Sequence, residues 1–137
     1  MGCGSSVGAA GGTKKLASAI RWHDAENDDR LDTIHGLMRF VNTKDEVTGN
    51  VAIHIAAQNG KVDVVDYLLK NGAQANSQNF KGNTALHMSV EYNLEDTTRK
   101  LLELGADKTI KNYDGNAAET GIDGGKNLPE SIVQVSP

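Results

Sequence analysis

The stretch Gly49-Asn50-Val51-Ala52-Ile53-His54-Ile55-Ala56-Ala57-Gln58-Asn59-Gly60 returns 33 residues later as Gly82-Asn83-Thr84-Ala85-Leu86-His87-Met88-Ser89-Val90-Glu91-Tyr92-Asn93. The register holds beyond it. Leu68-Leu69 becomes Leu101-Leu102, Gly72-Ala73 becomes Gly105-Ala106, and a third Gly-Asn arrives at Gly115-Asn116. A fixed internal period of this length marks an array of small units, each unable to bury its apolar face alone and therefore stacked on its neighbours.

Both copies read as the same mechanical unit. In the cleaner one, the Thr84 hydroxyl caps a helix whose buried stripe is Ala85, Leu86, Ser89 and Val90. Gly60 and Asn93 stop the first helices, being the residue types that best tolerate a left-handed backbone. A second helix carries Val62, Val65, Leu68 and Leu69 in one copy and Glu95, Thr98, Leu101 and Leu102 in the next, with Gly72 and Gly105 as C-caps. Polar, turn-rich connectors ending in Gly82 or Gly115 suit projecting hairpins.

Upstream, Leu16, Ala19 and Ile20, then Leu31, Ile34, Leu37, Met38 and Val41, recur at spacings of three and four, which predicts two helices between Lys14 and Val41. The acids Asp24, Glu26, Asp28, Asp29 and Asp32 fall at the break, where a turn and a helix N-terminus accept negative charge. A calcium loop starting at Asp24 fails, because Asp29 stands in place of the turn glycine and His35 in place of the bidentate glutamate. Trp22 is expected to pack between the first helix and the next repeat. Downstream, Leu128 to Val133, with Pro129 in its first turn, predicts a short closing helix.

These residues resemble the ankyrin repeat, a unit of turn, helix, helix and loop whose first helix opens with a Thr-Pro-Leu-His phrase. Thr84-Ala85-Leu86-His87 matches except for proline, Gly105-Ala106-Asp107 matches the family's Gly-Ala-Asp segment, and Asn79, Asn112 and Asp114 sit at its polar turns. The likeness is specific over residues 49–116 and looser over 16–134. It implies an all-α ankyrin-repeat solenoid of about four helix-turn-helix units, near 14–48, 49–81, 82–114 and 115–134, with projecting hairpin loops. The end units depart from the pattern, as solenoid caps do. Val51 stands where the capping threonine belongs, and Thr97 and Thr98 where the family packs apolar side chains. The resemblance also implies structural turn roles for His54, Thr84 and His87, with each histidine bonding within its turn and to the neighbouring unit.

Composition narrows the function classes. With 137 residues, 38% of them apolar, the chain suits one domain. A net charge of -4 argues against a nucleic-acid partner. The single cysteine, Cys3, rules out an intrachain disulfide or a multi-cysteine zinc site. No metal or other cofactor is expected. His23 and His35 show no partner arrangement in sequence, and Gly124-Gly125-Lys126 lacks the first glycine and the Ser/Thr of a phosphate loop. There is no nucleophile elbow and no zinc-protease motif, so the chain does not read as an enzyme.

Residues 1–13, almost all Gly, Ala and Ser, read as a flexible leader. Gly2 and Ser6 fit the N-myristoylation pattern, and Cys3 beside Gly2 is a natural S-palmitoylation site. A second acyl chain turns marginal membrane binding into stable attachment. The alternative is an unmodified Gly-Ser leader. On the repeat surface, Val47, Phe80 and Tyr113 share one loop position and form a candidate partner-binding ladder, unless each ring folds over its own hairpin. Gln58, Asn59, Glu91 and Tyr92, at the ends of the first helices, form a second candidate strip. The expected function is that of an adaptor or scaffold: a monomer that binds another protein, identity open, at the cytoplasmic face of a membrane. A soluble regulator or inhibitor of an enzyme, without lipid, is the alternative.

Overall fold

A computed structural model describes residues 8–23, 30–129 and 132. Gly2, Cys3 and Ser6, and the acids from Asp24 to Asp29, lie outside those residues. The helices, in chain order, are α1 (Gly8–Arg21), α2 (Arg30–Gly36), α3 (Ala52–Gln58), α4 (Val62–Lys70), α5 (Ala85–Glu91) and α6 (Glu95–Glu103). Short 3-10 turns follow at Met38–Phe40 and Ala118–Thr120. The described residues thus form an all-helical solenoid in two rows. One row is α1, α3, α5 and the Ala118–Thr120 turn, each touching the next; α4 and α6 pack side by side in the other.

In the two clean units the first-row helices are buried except at their last residues, Gln58 and Glu91. Ala52 to Ala57 and Ala85 to Val90 are all buried, because each helix has a neighbour on both sides as well as its own partner helix. Small residues such as Ala56, Ala57 and Ser89 let these backbones approach. The second helices bury one narrower stripe. It comprises Val64, Val65 and Leu68 in α4 and Thr97, Thr98, Leu101 and Leu102 in α6. Val62, half-buried, and Glu95, exposed, open their helices outside this stripe.

The polar stripe in α6 is satisfied rather than apolar. The Thr98 hydroxyl lies 2.8 Å from Ser89 Oγ and 2.9 Å from the Leu94 carbonyl, and Ser89 in turn donates to Leu86 O. Ser89 and Thr98 are therefore a matched pair across the α5–α6 contact. Buried hydroxyls with partners avoid most of the desolvation cost that unpaired ones would impose.

The first unit departs from expectation in two places. The helix begins at Gly8 instead of Lys14, so Gly8 to Thr13 belong to α1 and not to a leader. Gly12 has a use there: a Cβ on it would fall 2.2 Å from Phe40 Cε2, so the ring rests directly on the helix backbone. Burying that ring face offsets the entropy that glycines lose in a helix. Trp22, in contrast, is 65% exposed. The buried stripe of α1 runs Leu16, Ala19, Ile20 and on to His23, and Trp22 falls off that face.

The last unit is reduced. In place of a first helix it has the single turn Ala118–Thr120, ended by Gly121 at φ +82°. Ala118 and Ile132 nevertheless complete the core, and Ile132 N donates to Pro129 O at 2.8 Å. The rest of the expected closing helix, apart from Leu128 and Pro129, lies outside the described residues.

Candidate partner-binding edge

Each unit is tied to the next by its first-helix histidine. Val51 N–H donates to His54 Nδ1 at 3.0 Å, which leaves the proton on Nε2, and Nε2 donates to Asn83 O of the next unit at 2.9 Å. His87 repeats the pattern, accepting from Thr84 N at 3.0 Å and donating to Asn116 O at 2.8 Å. Thr84 adds a second link, since its Oγ1 accepts from His87 N at 3.3 Å. Val51 has no oxygen to do the same. Burial lowers the pKa of His54 to about 4 and also lowers that of His87. Burial favours the neutral form of both rings, and both nitrogens of each are committed to hydrogen bonds that fasten one unit to the next.

Above the histidines the three connectors form hairpins that pair edge to edge. Asp45 N donates to Asn50 O, Asn79 N to Asn83 O and Asn112 N to Asn116 O, closing each loop. Between loops, Phe80 N donates to Thr48 O at 3.0 Å and Tyr113 N to Lys81 O at 3.1 Å. A ladder of buried amides backs this pairing. Asn79 Nδ2 reaches Asn50 Oδ1 at 2.9 Å, and Asn112 Nδ2 reaches Asn83 Oδ1 at 2.8 Å. Satisfied amides of this kind fix loop register, because any slip would strand several buried donors.

The aromatic rings follow that register. Phe80 does not fold over its own hairpin; it lies on Gly49 of the preceding one, where a Cβ would fall 2.5 Å from Phe80 Cδ1. Tyr113 lies on Gly82 in the same way, at 2.7 Å. Lys44 Nζ sits 6.0 Å from the Phe80 ring centroid, at the edge of cation–π range. Each ring thus packs within the stack and yet stays exposed: Phe80 is 52% exposed and Tyr113 72%, beside Val47 at 84%. The three side chains step along one edge, as their spacing predicts.

The second strip is less uniform. Tyr92 is 54% exposed and Asn59 is exposed, though Asn59 Nδ2 turns back to Ile55 O at 2.7 Å. Gln58 lines a recess of about 330 Å³ between α1, Phe40, the first hairpin and α3. Glu91, half-buried, is also engaged within the chain. Its Oε1 accepts Ile122 N at 2.8 Å and Asp123 N at 3.1 Å, so this carboxylate ties down the last unit.

The first unit holds contacts that the sequence did not reveal. His23, buried at the end of α1, pairs with Asp63 at the start of α4, and Lys61 Nζ donates to the His23 carbonyl at 2.8 Å. His35 meets the Tyr67 hydroxyl. Both histidines reach across to the next unit, outside the 33-residue register, so no repeat comparison could have paired them. Among the described residues, no group of three His, Cys, Asp or Glu side chains is placed to hold a metal ion.

Comparison with known proteins agrees with this architecture. A family model for ankyrin repeats, in three copies, matches residues 22–112, and the chain belongs to the ankyrin-repeat family. It is similar to the crystal structure of the ankyrin-repeat domain of Bcl-3, a unique member of the IkappaB protein family, with 25% identity and a TM-score of 0.66. The match covers 75% of this chain and 44% of that one, so the chain spans less than half the length of that domain. No curated protein matches in sequence. Ankyrin repeats are protein-interaction modules, and that is the class of activity the fold defines here.

Proposed function

We propose that the protein is an adaptor that captures a partner protein along the hairpin edge of Val47, Phe80 and Tyr113, while acyl chains on Gly2 and Cys3 hold it at the cytoplasmic face of a membrane. The observation that carries the recognition half is the exposure of the two rings on a loop edge whose register is fixed by buried amides. Rigid aromatic side chains bind at low entropic cost, because little freedom is left to lose. Tyr92 and Asn59 extend the surface along the first-helix ends. The membrane half rests on Gly2, Cys3 and Ser6 standing together in sequence. Confinement to a thin layer raises the effective concentration, so modest affinity for a partner suffices.

Two measurements test the two halves separately. Phe80→Ala with Tyr113→Ala should reduce capture of partner proteins while the folded fraction at the assay temperature stays unchanged; unaltered capture would exclude the hairpin edge. Gly2→Ala should move the protein from the membrane to the soluble fraction of cells. Identical partitioning of parent and variant, with no acyl mass on the N-terminal peptide, would leave a soluble regulator as the better reading.

A further inference from the structure

The two ring-on-glycine contacts share two parts, a left-handed glycine and a carbonyl that accepts the ring residue's N–H, and the third hairpin has both with no ring on them. At the first hairpin, Gly49 carries the ring of Phe80, Thr48 O accepts its N–H, and Lys44 lies over its face. At the second, Gly82 carries Tyr113, and Lys81 O accepts its N–H. At the third, Gly115 keeps the same left-handed backbone, φ +86° against +74° and +80°, yet among the described residues nothing beyond its chain neighbours lies within 4 Å of where its Cβ would be. Asp114 O, the counterpart of Thr48 O and Lys81 O, accepts no hydrogen bond from any described residue. Lys111 immediately precedes the loop head Asn112, as Lys44 immediately precedes the loop head Asp45.

We propose that Gly115, Asp114 O and Lys111 form a docking site for a Phe or Tyr in an extended segment of a partner protein. The aromatic ring would lie on Gly115 as Tyr113 lies on Gly82, and its own backbone N–H would donate to Asp114 O. Lys111 would approach the outer ring face. The occupant is inferred from continuity: the ladder presents this interface twice within the chain and a third time open. An extended segment adding to an exposed edge gains backbone hydrogen bonds, while the socket selects the side chain. The inference rests on the hairpin edge being the partner face and names the chemistry that its open end would take.

The test is a titration of the full chain, followed by amide chemical shifts, with a peptide copying residues 108–117, which carries Tyr113. The expected result is saturable shifts at the Asp114 and Gly115 amides, absent with a Tyr113→Ala peptide. Gly115→Asn in the protein should weaken binding by about tenfold or more, because asparagine tolerates the left-handed backbone, as Asn93 does at φ 58°, but fills the socket with its Cβ. The spectrum of the variant reports directly that it is folded. Lys111→Ala should weaken binding less. Equal affinity for Gly115→Asn, shifts centred on Val47, or no saturable shift would each overturn the proposal. Partner capture through Phe80 and Tyr113 could survive any of these, so the two readings fail separately.

Discussion

The ring of Phe80 rests on the bare Cα of Gly49, one hairpin back, and its N–H donates to Thr48 O at 3.0 Å. Glycine is required there twice over. Its φ of +74° is one that residues with a β-carbon rarely adopt, and a β-carbon would also sit 2.7 Å from the Phe80 backbone nitrogen, which cannot swing away as a side chain can. Gly82 repeats both constraints beneath Tyr113.

Gly82→Ala should therefore cost about 1–3 kcal/mol, from left-handed strain together with displacement of the Tyr113 backbone. Phe80→Ala, which opens space without straining the chain, should cost less. Urea denaturation of both variants gives the comparison, and a glycine variant as stable as the parent would contradict the contact.

Stability should fall as the solution is acidified from pH 6.5 toward 4. In the unfolded chain a histidine takes up a proton below about 6.5. Folded His54 stays neutral down to about 4, because its ring is buried and protonation of Nδ1 would remove the acceptor for Val51 N–H. Between those values the unfolded state binds more protons and gains at the expense of the folded one, by roughly 1.4 kcal/mol per pH unit and about 3 kcal/mol in all. His87 adds to the loss in the same direction. Asp45 and Asp107 are held below the usual carboxylate range by bonds from Thr48 and Thr109, so their contributions fade only under more acidic conditions. Urea midpoints across pH 4–7 should show the slope, and His54→Gln should reduce it; an unchanged slope would assign the effect elsewhere.

Val51 opens α3 with an extended backbone, φ -105° and ψ 176°, close to that of Thr84 at φ -92° and ψ 170°. Val51→Thr should then supply the missing cap. Set against the loss of one buried methyl, a gain of about 0.5–1 kcal/mol in unfolding free energy is expected. A loss of stability would mean that the hydroxyl finds no partner at this buried site.

Glu91 reaches 31 residues along the chain to hold Ile122 N. Glu91→Ala should speed hydrogen exchange at Ile122 and Asp123 while leaving α3 and α4 protected, since a solenoid couples each unit mainly to its neighbours. Uniform loss of protection would show that the last unit supports the whole stack.

Tyr113 on Gly82 and Glu91 on Ile122 differ in how far the sequence could reveal them. The first follows the 33-residue period, so repeat comparison places both residues on the hairpin edge, although it cannot show that the ring leans on the previous loop. The second links a clean unit to a divergent one, where no register exists to project from. Trp22 fails for a related reason. Its exposure depends on the rotation of α1 against α3, and that rotation buries Leu16, Ile20 and His23 instead.

The sequence by itself determined the all-helical solenoid, its period, its helix stops and the loop position shared by Val47, Phe80 and Tyr113. Those features are local or periodic, and each unit must satisfy the same backbone and stacking demands as its neighbour. Only the tertiary structure decided that α1 begins at Gly8 and that Phe40 rests on Gly12, that Glu91 serves the last unit, that Ser89 meets Thr98, and that Gly115 is left open. Each of these depends on where two segments without a common register come to lie, and that is settled by packing across units.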